Sequence, residues 1–369
     1  KVYGAENVYD FSVGNPGLHP PKEYREAINY VNNEMDPHLV HGYMPNAGFE
    51  STRTAVAENL NKRFGSDFTA ENIIMTVGAG SSINVIMKTI FDPGDKQVVF
   101  APYFVEYANW ASNYHAETVV VPPNEESGFE PDPEALKKVL DPKVKVVIIN
   151  NPNNPTGAIY SRETLEKIAE VLKEAEKEFG HPIYLITDEP YRELVYVDKE
   201  IVFIPDLYDN TIIAYSWSKS LSIPGDRLGY LAVSPKSDNV EEFMAAATVA
   251  NRISGDTNAP SIIQLAVERC LDAQVDIPYY KKNAEDLYKI VTDAGFTAVV
   301  PQGAFYLWVK SPVADEKELV DAAKEERILA VPGSAFACPG YIRLSFCIAN
   351  ETIHRSAESF AKLGKKYFG

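Results

Sequence analysis

Residues 143–150 read KVKVVIIN, and the fold is decided there. Val144, Val146, Val147, Ile148 and Ile149 make a β-branched run that is apolar at successive positions. Such a run fits a strand buried on both faces, as in a parallel sheet covered by helices. It breaks at Asn151-Pro152. Downstream, SRETLEKIAEVLKEAEKEF (161–179) sets Leu165, Ile168, Ala169, Leu172 and Ala175 at helical spacing, with Gly180 as the stop. IYLIT (183–187) is the next apolar run and meets Asp188-Glu189-Pro190. Strand, helix and strand in that order form a βαβ crossover. A further run, TIIAY (211–215), leads into Ser216-Trp217-Ser218-Lys219. The alternation predicts an α/β fold with a mainly parallel sheet.

The special residues follow the ends of these strands. Open parallel sheets bind ligands at their carboxyl ends. One crevice is therefore expected to collect Asn154, Asp188, Ser216 and Lys219. Towards the end of the chain the pattern changes. GAFYLWV (303–309) and YIRLSF (341–346) read as shorter strands, and 316–327 and 351–367 as helices. This predicts a large domain over 36–274 and a smaller α+β domain built from 275–369 together with 1–35.

The 369 residues carry a formal net charge of −17. An acidic surface opposes binding to phosphate backbones and to anionic membranes, so neither nucleic acid nor a membrane is an expected partner. No apolar run reaches the ~18–20 residues of a membrane helix, and KVYGAENVYDF at the start lacks a signal-peptide pattern. The three cysteines, Cys270, Cys338 and Cys347, form no CxxC pair. They read as buried thiols in a reducing cytoplasm. The six histidines show no metal-ligand spacing; His41 reads as a loop residue near Tyr43. No metal is expected.

Four segments carry chemistry. SWSKSLSIPGDRLGY (216–230) offers a lysine bracketed by Trp217, serines and Leu221. Those surroundings favour a neutral, nucleophilic amine at Lys219. Ser216 and Arg227 suit a phosphate ester. NNPNNPTG (150–157) is a turn-rich strand end, compatible with a plain connection. DEPYREL (188–194) places Asp188 where exposure is low, so its carboxylate needs a cation or several donors. A protonated pyridine nitrogen is such a cation, and Tyr191 lies three residues on. TVGAGSSINVIMKTIF (76–91) passes through Gly78-Ala79-Gly80 into a helical pattern, where backbone N–H groups can approach a phosphate. As a dinucleotide fingerprint it lacks the third glycine and the acidic ribose ligand.

NPTG, D-x-x-Y and S-x-S-K followed by Arg227, in this order and spacing, resemble the fold-type I, class I/II aminotransferases that use pyridoxal-5′-phosphate. The resemblance runs from Val13-Gly14-Asn15-Pro16 to Arg343-Leu344-Ser345. It implies a seven-stranded, mainly parallel sheet sandwiched by helices, plus the smaller α+β domain. It implies that Lys219 carries the cofactor as a Schiff base and moves the Cα proton. Asp188 pairs with the pyridine nitrogen. Asn154 and Tyr191 bind the phenolic oxygen. Phe104, in APYFVEY, stacks on the ring. The backbone of Ala79 and Gly80, with Ser216 and Arg227, holds the phosphate. Arg343 grips the substrate α-carboxylate beside Gly14, with Asn154 close by. Tyr43, in HGYMPNAGF, and Thr257, in DTNAPS, reach a neighbouring subunit's phosphate, which implies a homodimer with shared sites.

The implied reaction moves an amino group from an L-amino acid to a 2-oxo acid, with 2-oxoglutarate the first-choice acceptor and aspartate the first-choice donor. Gly80 departs from relatives that place Thr, Ser or a basic residue there. Arg252 stands near another position used to grip a second carboxylate, or is a surface arginine. Aromatic or alanine donors, and a cystathionine β-lyase-type C–S lyase, remain as alternatives. A regulator would need a DNA-binding module, which this chain lacks, and a nicotinamide dehydrogenase a complete glycine fingerprint.

Overall fold

The computed structural model describes Gly4 and residues 7–369; residues 1–3, 5 and 6, which belong to the opening stretch and to the expected small domain, lie outside the described residues. The central sheet has seven strands: β1 (Ile73–Thr76), β2 (Lys96–Phe100), β3 (Glu117–Val121), β4 (Val144–Asn150), β5 (Tyr184–Asp188), β6 (Thr211–Ser216) and β7 (Gly229–Val233). Their spatial order is β1-β7-β6-β5-β4-β2-β3. β7 runs antiparallel to both β1 and β6, and the other pairs are parallel. Residues 144–150 thus form a central strand, as their double-sided apolar pattern demands.

The register brings the special residues to one edge. Asn150 stands opposite Asp188, and Asp188 opposite Ala214, two residues before the end of β6. Every strand except the antiparallel β7 is followed by a helix or turn that starts at this edge. The crossover helix Arg162–Phe179 buries Leu165, Ile168, Ala169, Val171, Leu172 and Ala175 against one face of the sheet. Ser161 caps its start by accepting from the Thr164 N–H, and Gly180 closes it in the left-handed region at φ 75°. Helix Ala79–Ile90 covers the other face with Ile83, Val85, Ile86 and Met87.

A second apolar cluster joins Phe11, Tyr191, Leu194 and Tyr196 to residues between Val275 and Leu363. It encloses a small antiparallel sheet in which β9 (Tyr341–Ser345) lies between Val331–Pro332 and β8 (Tyr306–Lys310). The chain start joins this body where Tyr9–Asp10 pairs in parallel with Ile328–Leu329. Helix Lys22–Glu34 packs differently. Its buried Tyr24, Ala27 and Val31 share a cluster with Ile73, Met75 and Ile213 of the large sheet. The grouping of all of 1–35 with the small domain therefore does not describe this helix, because its apolar stripe faces the large core. The helix expected over 351–367 is two helices, Asn350–Arg355 and Ala357–Phe368, which meet at the buried Ser356.

Candidate active site

At the carboxyl edge of the sheet lies a cavity of about 500 Å³. It is lined by Gly14, Ala79, Gly80, Phe104, Asn154, Asp188, Tyr191, Ser216, Lys219, Arg227 and Arg343. The residues singled out from the sequence are all among them, apart from Tyr43, Thr257 and Arg252. Three stretches distant in the chain converge because β4, β5 and β6 end side by side, and the stretch after β1 reaches the same edge.

Lys219 sits in a single helical turn, Trp217–Ser220, directly after β6. The turn starts at Ser216, whose Oγ accepts from the Ser218 N–H. The Lys219 amine donates to the Gly14 carbonyl at 2.6 Å and lies 6.0 Å from the centre of the Phe305 ring. Burial pushes its pKa down to about 8. The Cys347 thiol opposes that shift, while the charges of Arg343 and Arg227 add to it.

Asp188 is the last residue of β5 and is 6% exposed. Its Oδ2 accepts from the Tyr107 hydroxyl at 2.5 Å, and Asn150 Nδ2 stands 3.4 Å away. Oδ1 is buried with no hydrogen-bond partner. Burial raises the acid to about 7; the Tyr107 hydrogen bond opposes the rise and the charge of Glu189 adds to it. An orphaned carboxylate oxygen at the floor of a cavity calls for a cationic N–H from a ligand.

Arg343 lies in the middle of β9 and is buried between two rings, 4.3 Å from the centre of Tyr306 and 4.8 Å from that of Phe336. It donates to Asn154 Oδ1 at 3.0 Å and to the Ser12 carbonyl at 2.8 Å, and its Nε has no partner. Among the described residues no carboxylate forms an ion pair with it. A guanidinium held flat in this way suits a carboxylate from outside. The Tyr191 and Tyr306 hydroxyls share a hydrogen bond of 2.9 Å beside it.

The phosphate-like end is built from small residues. Gly78 has φ +92°, and a Cβ there would lie 2.8 Å from Arg227 Nη2. Arg227 is fixed by donating to the Pro224 carbonyl at 2.8 Å and to the Val77 carbonyl at 2.9 Å. Its charge therefore stands over the start of helix Ala79–Ile90, with Ser216 also lining the cavity. Gly14 is tight for another reason, since a Cβ there would fall 2.2 Å from the Tyr306 hydroxyl.

Tyr43 is 94% exposed and does not line the cavity of its own chain. Thr257, Arg252 and His41 also stand outside it, with Arg252 and His41 exposed. Sequence reasoning missed Tyr107, Asn150, Trp110 and Tyr306. Tyr107 closes the quoted APYFVEY three residues after Phe104, one helical turn on. That spacing was the available signal. Tyr306 was hidden inside a run read only as a strand.

The profile of the family described as Aminotransferase class I and II matches residues 5–360. A Thermus thermophilus protein named aspartate/prephenate aminotransferase is 32% identical over 363 residues, spanning 95% of this chain and 90% of that protein. The crystal structure of an amino transferase from Eubacterium rectale superposes with a TM-score of 0.97 at 40% identity, over 99% of this chain and 92% of that one. The aspartate aminotransferase of Thermus thermophilus solved with maleate superposes with a TM-score of 0.87 at 28% identity, over 97% and 92% of the two chains. The sheet, the converging site residues and these likenesses agree: the chain belongs to the class I and II aminotransferases.

Proposed function

We propose that this aminotransferase uses pyridoxal-5′-phosphate to move the amino group of aspartate to a 2-oxo acid, 2-oxoglutarate being the natural choice. One observation carries the cofactor: Asp188 Oδ1, buried without a partner, in the cavity that also holds the low-pKa amine of Lys219. The names of the Thermus thermophilus relative and of the solved structure support aspartate as donor.

The residues present fit the group. Asp188 would face the ring nitrogen and Phe104 the ring; Ala79, Gly80, Ser216 and Arg227 would hold the phosphate, and Tyr191 with Asn154 the phenolic oxygen. When bound, the cofactor supplies an aldehyde that condenses with amines and a ring that takes up the electron pair left at Cα. The protein's own part is positional and acid–base. Arg343 binds the α-carboxylate and, with the small Gly14 beside it, fixes how the donor lies. The Lys219 amine takes the proton from Cα and later returns it, a task that suits a group titrating near neutrality. Asp188, held by Tyr107, would keep a negative charge at the ring nitrogen. Tyr191 donates a proton in a hydrogen bond that Tyr306 orients.

A homodimer is part of the same proposal. Tyr43 at 94% exposure, and Val249 at 55% and Ile253 at 60%, belong to segments joined by Asn251 donating to the Asn46 carbonyl and Asn258 to the Pro45 carbonyl. A partner covering this surface would receive Tyr43 and Thr257, with Arg252 exposed beside them. A cytoplasmic location is likewise proposed, supported by three buried, unpaired thiols. Among the described residues no helix is long and apolar enough to cross a membrane.

The test is direct. Wild type incubated with the cofactor, aspartate and 2-oxoglutarate should form oxaloacetate and glutamate, and Lys219→Ala should lose about 10³-fold or more of that rate. Full activity of Lys219→Ala, or aspartate proving a poor donor for wild type, would refute the reading.

A further inference from the structure

The cavity holds four charged side chains, Asp188, Lys219, Arg227 and Arg343. The reading above gives each of them a task, and the inference here rests on that reading. Within its own subunit, the wall that a donor meets beyond an α-carboxylate held on Arg343 is neutral. The bulkiest neutral lining groups on the wall beside helix Ala79–Ile90 are Ile83, Phe104 and Trp110.

Trp110 is locked in place. It lies on the short helix Glu106–Ser112. Its ring centre is 6.0 Å from that of Phe104 at 72° and 6.1 Å from that of Tyr107 at 56°. Edge contacts of this kind fix the orientation of an aromatic side chain. The indole also fills the room in front of residue 80. A Cβ on Gly80 would lie 3.1 Å from Trp110 Cη2 and 3.2 Å from Cζ2. The absent side chain and the large one are therefore a matched pair: glycine at 80 lets the ring approach the cavity wall.

About 500 Å³ has to take the cofactor and the donor together. A rigid indole on the wall sets how long a donor side chain can be. We propose that Trp110, seated on Gly80 and braced by Phe104 and Tyr107, is the residue that limits donor length, admitting four- and five-carbon amino acids and excluding aromatic ones.

The experiment compares kcat/KM for aspartate, glutamate and phenylalanine in wild type, Trp110→Phe and Trp110→Ala. Dissociation constants for two inert acids, succinate and 3-phenylpropionate, are measured on the same loaded proteins. Wild type should favour aspartate and glutamate. In Trp110→Ala the phenylalanine-to-aspartate ratio of kcat/KM should rise by about tenfold or more, the scale at which a pocket wall discriminates. Binding of 3-phenylpropionate should tighten relative to succinate, and Trp110→Phe should lie between. A merely structural role would move both donors and both acids alike. Ratios within about twofold of wild type, in Trp110→Phe if the alanine variant does not fold, overturn the assignment, as does a wild type that already prefers phenylalanine. If wild type transfers an amino group from no donor, the proposed function falls and this inference with it; an active wild type with unmoved ratios rejects Trp110 alone.

Discussion

The hydroxyl of Tyr107 donates to Asp188 Oδ2 at 2.5 Å, while Asp188 Oδ1 is buried without a partner. The two oxygens of one carboxylate are thus unequally served, in a residue that lines the cavity. Tyr107 is itself fully packed, at 2% exposure, so its hydroxyl has one aim. The pair forms a cradle that holds the acid's orientation and leaves one acceptor for a ligand.

Tyr107→Phe tests that cradle. Burial raises the pKa of Asp188, and the tyrosine hydrogen bond is what opposes the rise. Without it the acid titrates higher and turns more freely. A hydrogen bond to a charged group is worth about 1.5–3 kcal/mol. The dissociation constant for pyridoxal-5′-phosphate should therefore weaken by roughly 10-fold or more at pH 8. Titration of cofactor-free protein, followed by visible absorbance, measures it. An affinity equal to that of wild type shows that Asp188 needs no such support.

Asp188→Asn should change how stability depends on pH in the cofactor-free protein. The folded acid titrates at about 7, above its ordinary 3.8. Between these values the folded protein keeps a proton that the unfolded chain has released. The contribution to stability is full below 3.8 and is lost as pH rises through about 7. Above that pH the variant escapes the cost of a buried charge. It should exceed wild type by up to about 4 kcal/mol at pH 8 and lose that advantage near pH 4. Urea unfolding at the two pH values decides, and parallel curves for the two proteins contradict the assigned titration.

Most of this architecture was legible in the sequence because it rests on local pattern. β4, β5 and β6 announce themselves as uninterrupted apolar runs, and a parallel sheet leaves its ligands only one edge. Lys219, Asp188 and Asn154 follow from that edge alone. Arg343 does not, since it lies in mid-strand and reaches the cavity through packing between Tyr306 and Phe336. Only the resemblance to a known family singled it out. The helix Lys22–Glu34 was misgrouped because an amphipathic stripe says that a face is buried but not against what. Trp110 lay unread for a similar reason: its partner is a glycine thirty residues earlier, and nothing in either neighbourhood reveals the pairing.

Lys219 offers a further measurement. Its pKa near 8, against an ordinary 10.5, arises first from burial, with Arg343 and Arg227 adding to the depression. The neutral amine is the reactive form, so attachment of the cofactor should accelerate as pH rises and level off above about 8. In Arg343→Gln one depressing charge is gone, and the midpoint should move upward by a few tenths of a pH unit or more. Stopped-flow absorbance from pH 6 to 10 follows the attachment. A wild-type rate that keeps climbing towards pH 10 means the amine is not depressed.

Tyr43 decides whether the active sites are shared. Its ring is 94% exposed and outside the cavity of its own chain, so replacing it should leave the fold of one subunit intact. Tyr43→Asp places a carboxylate where the partner's phosphate is expected, and like charges repel. That homodimer should be nearly inactive, as should Lys219→Ala. Mixed subunits behave differently. In a hybrid, one site combines a native Lys219 with a native Tyr43 from the other chain, while the second site carries both defects. With random pairing, half of the dimers are hybrids with one competent site in two, so activity should recover to about a quarter of wild type. If Tyr43 served its own subunit, the site that retains Lys219 would always carry the aspartate, and mixing would restore nothing. Refolding the two variants together and separately, at equal total protein, separates these outcomes without requiring any knowledge of the physiological donor.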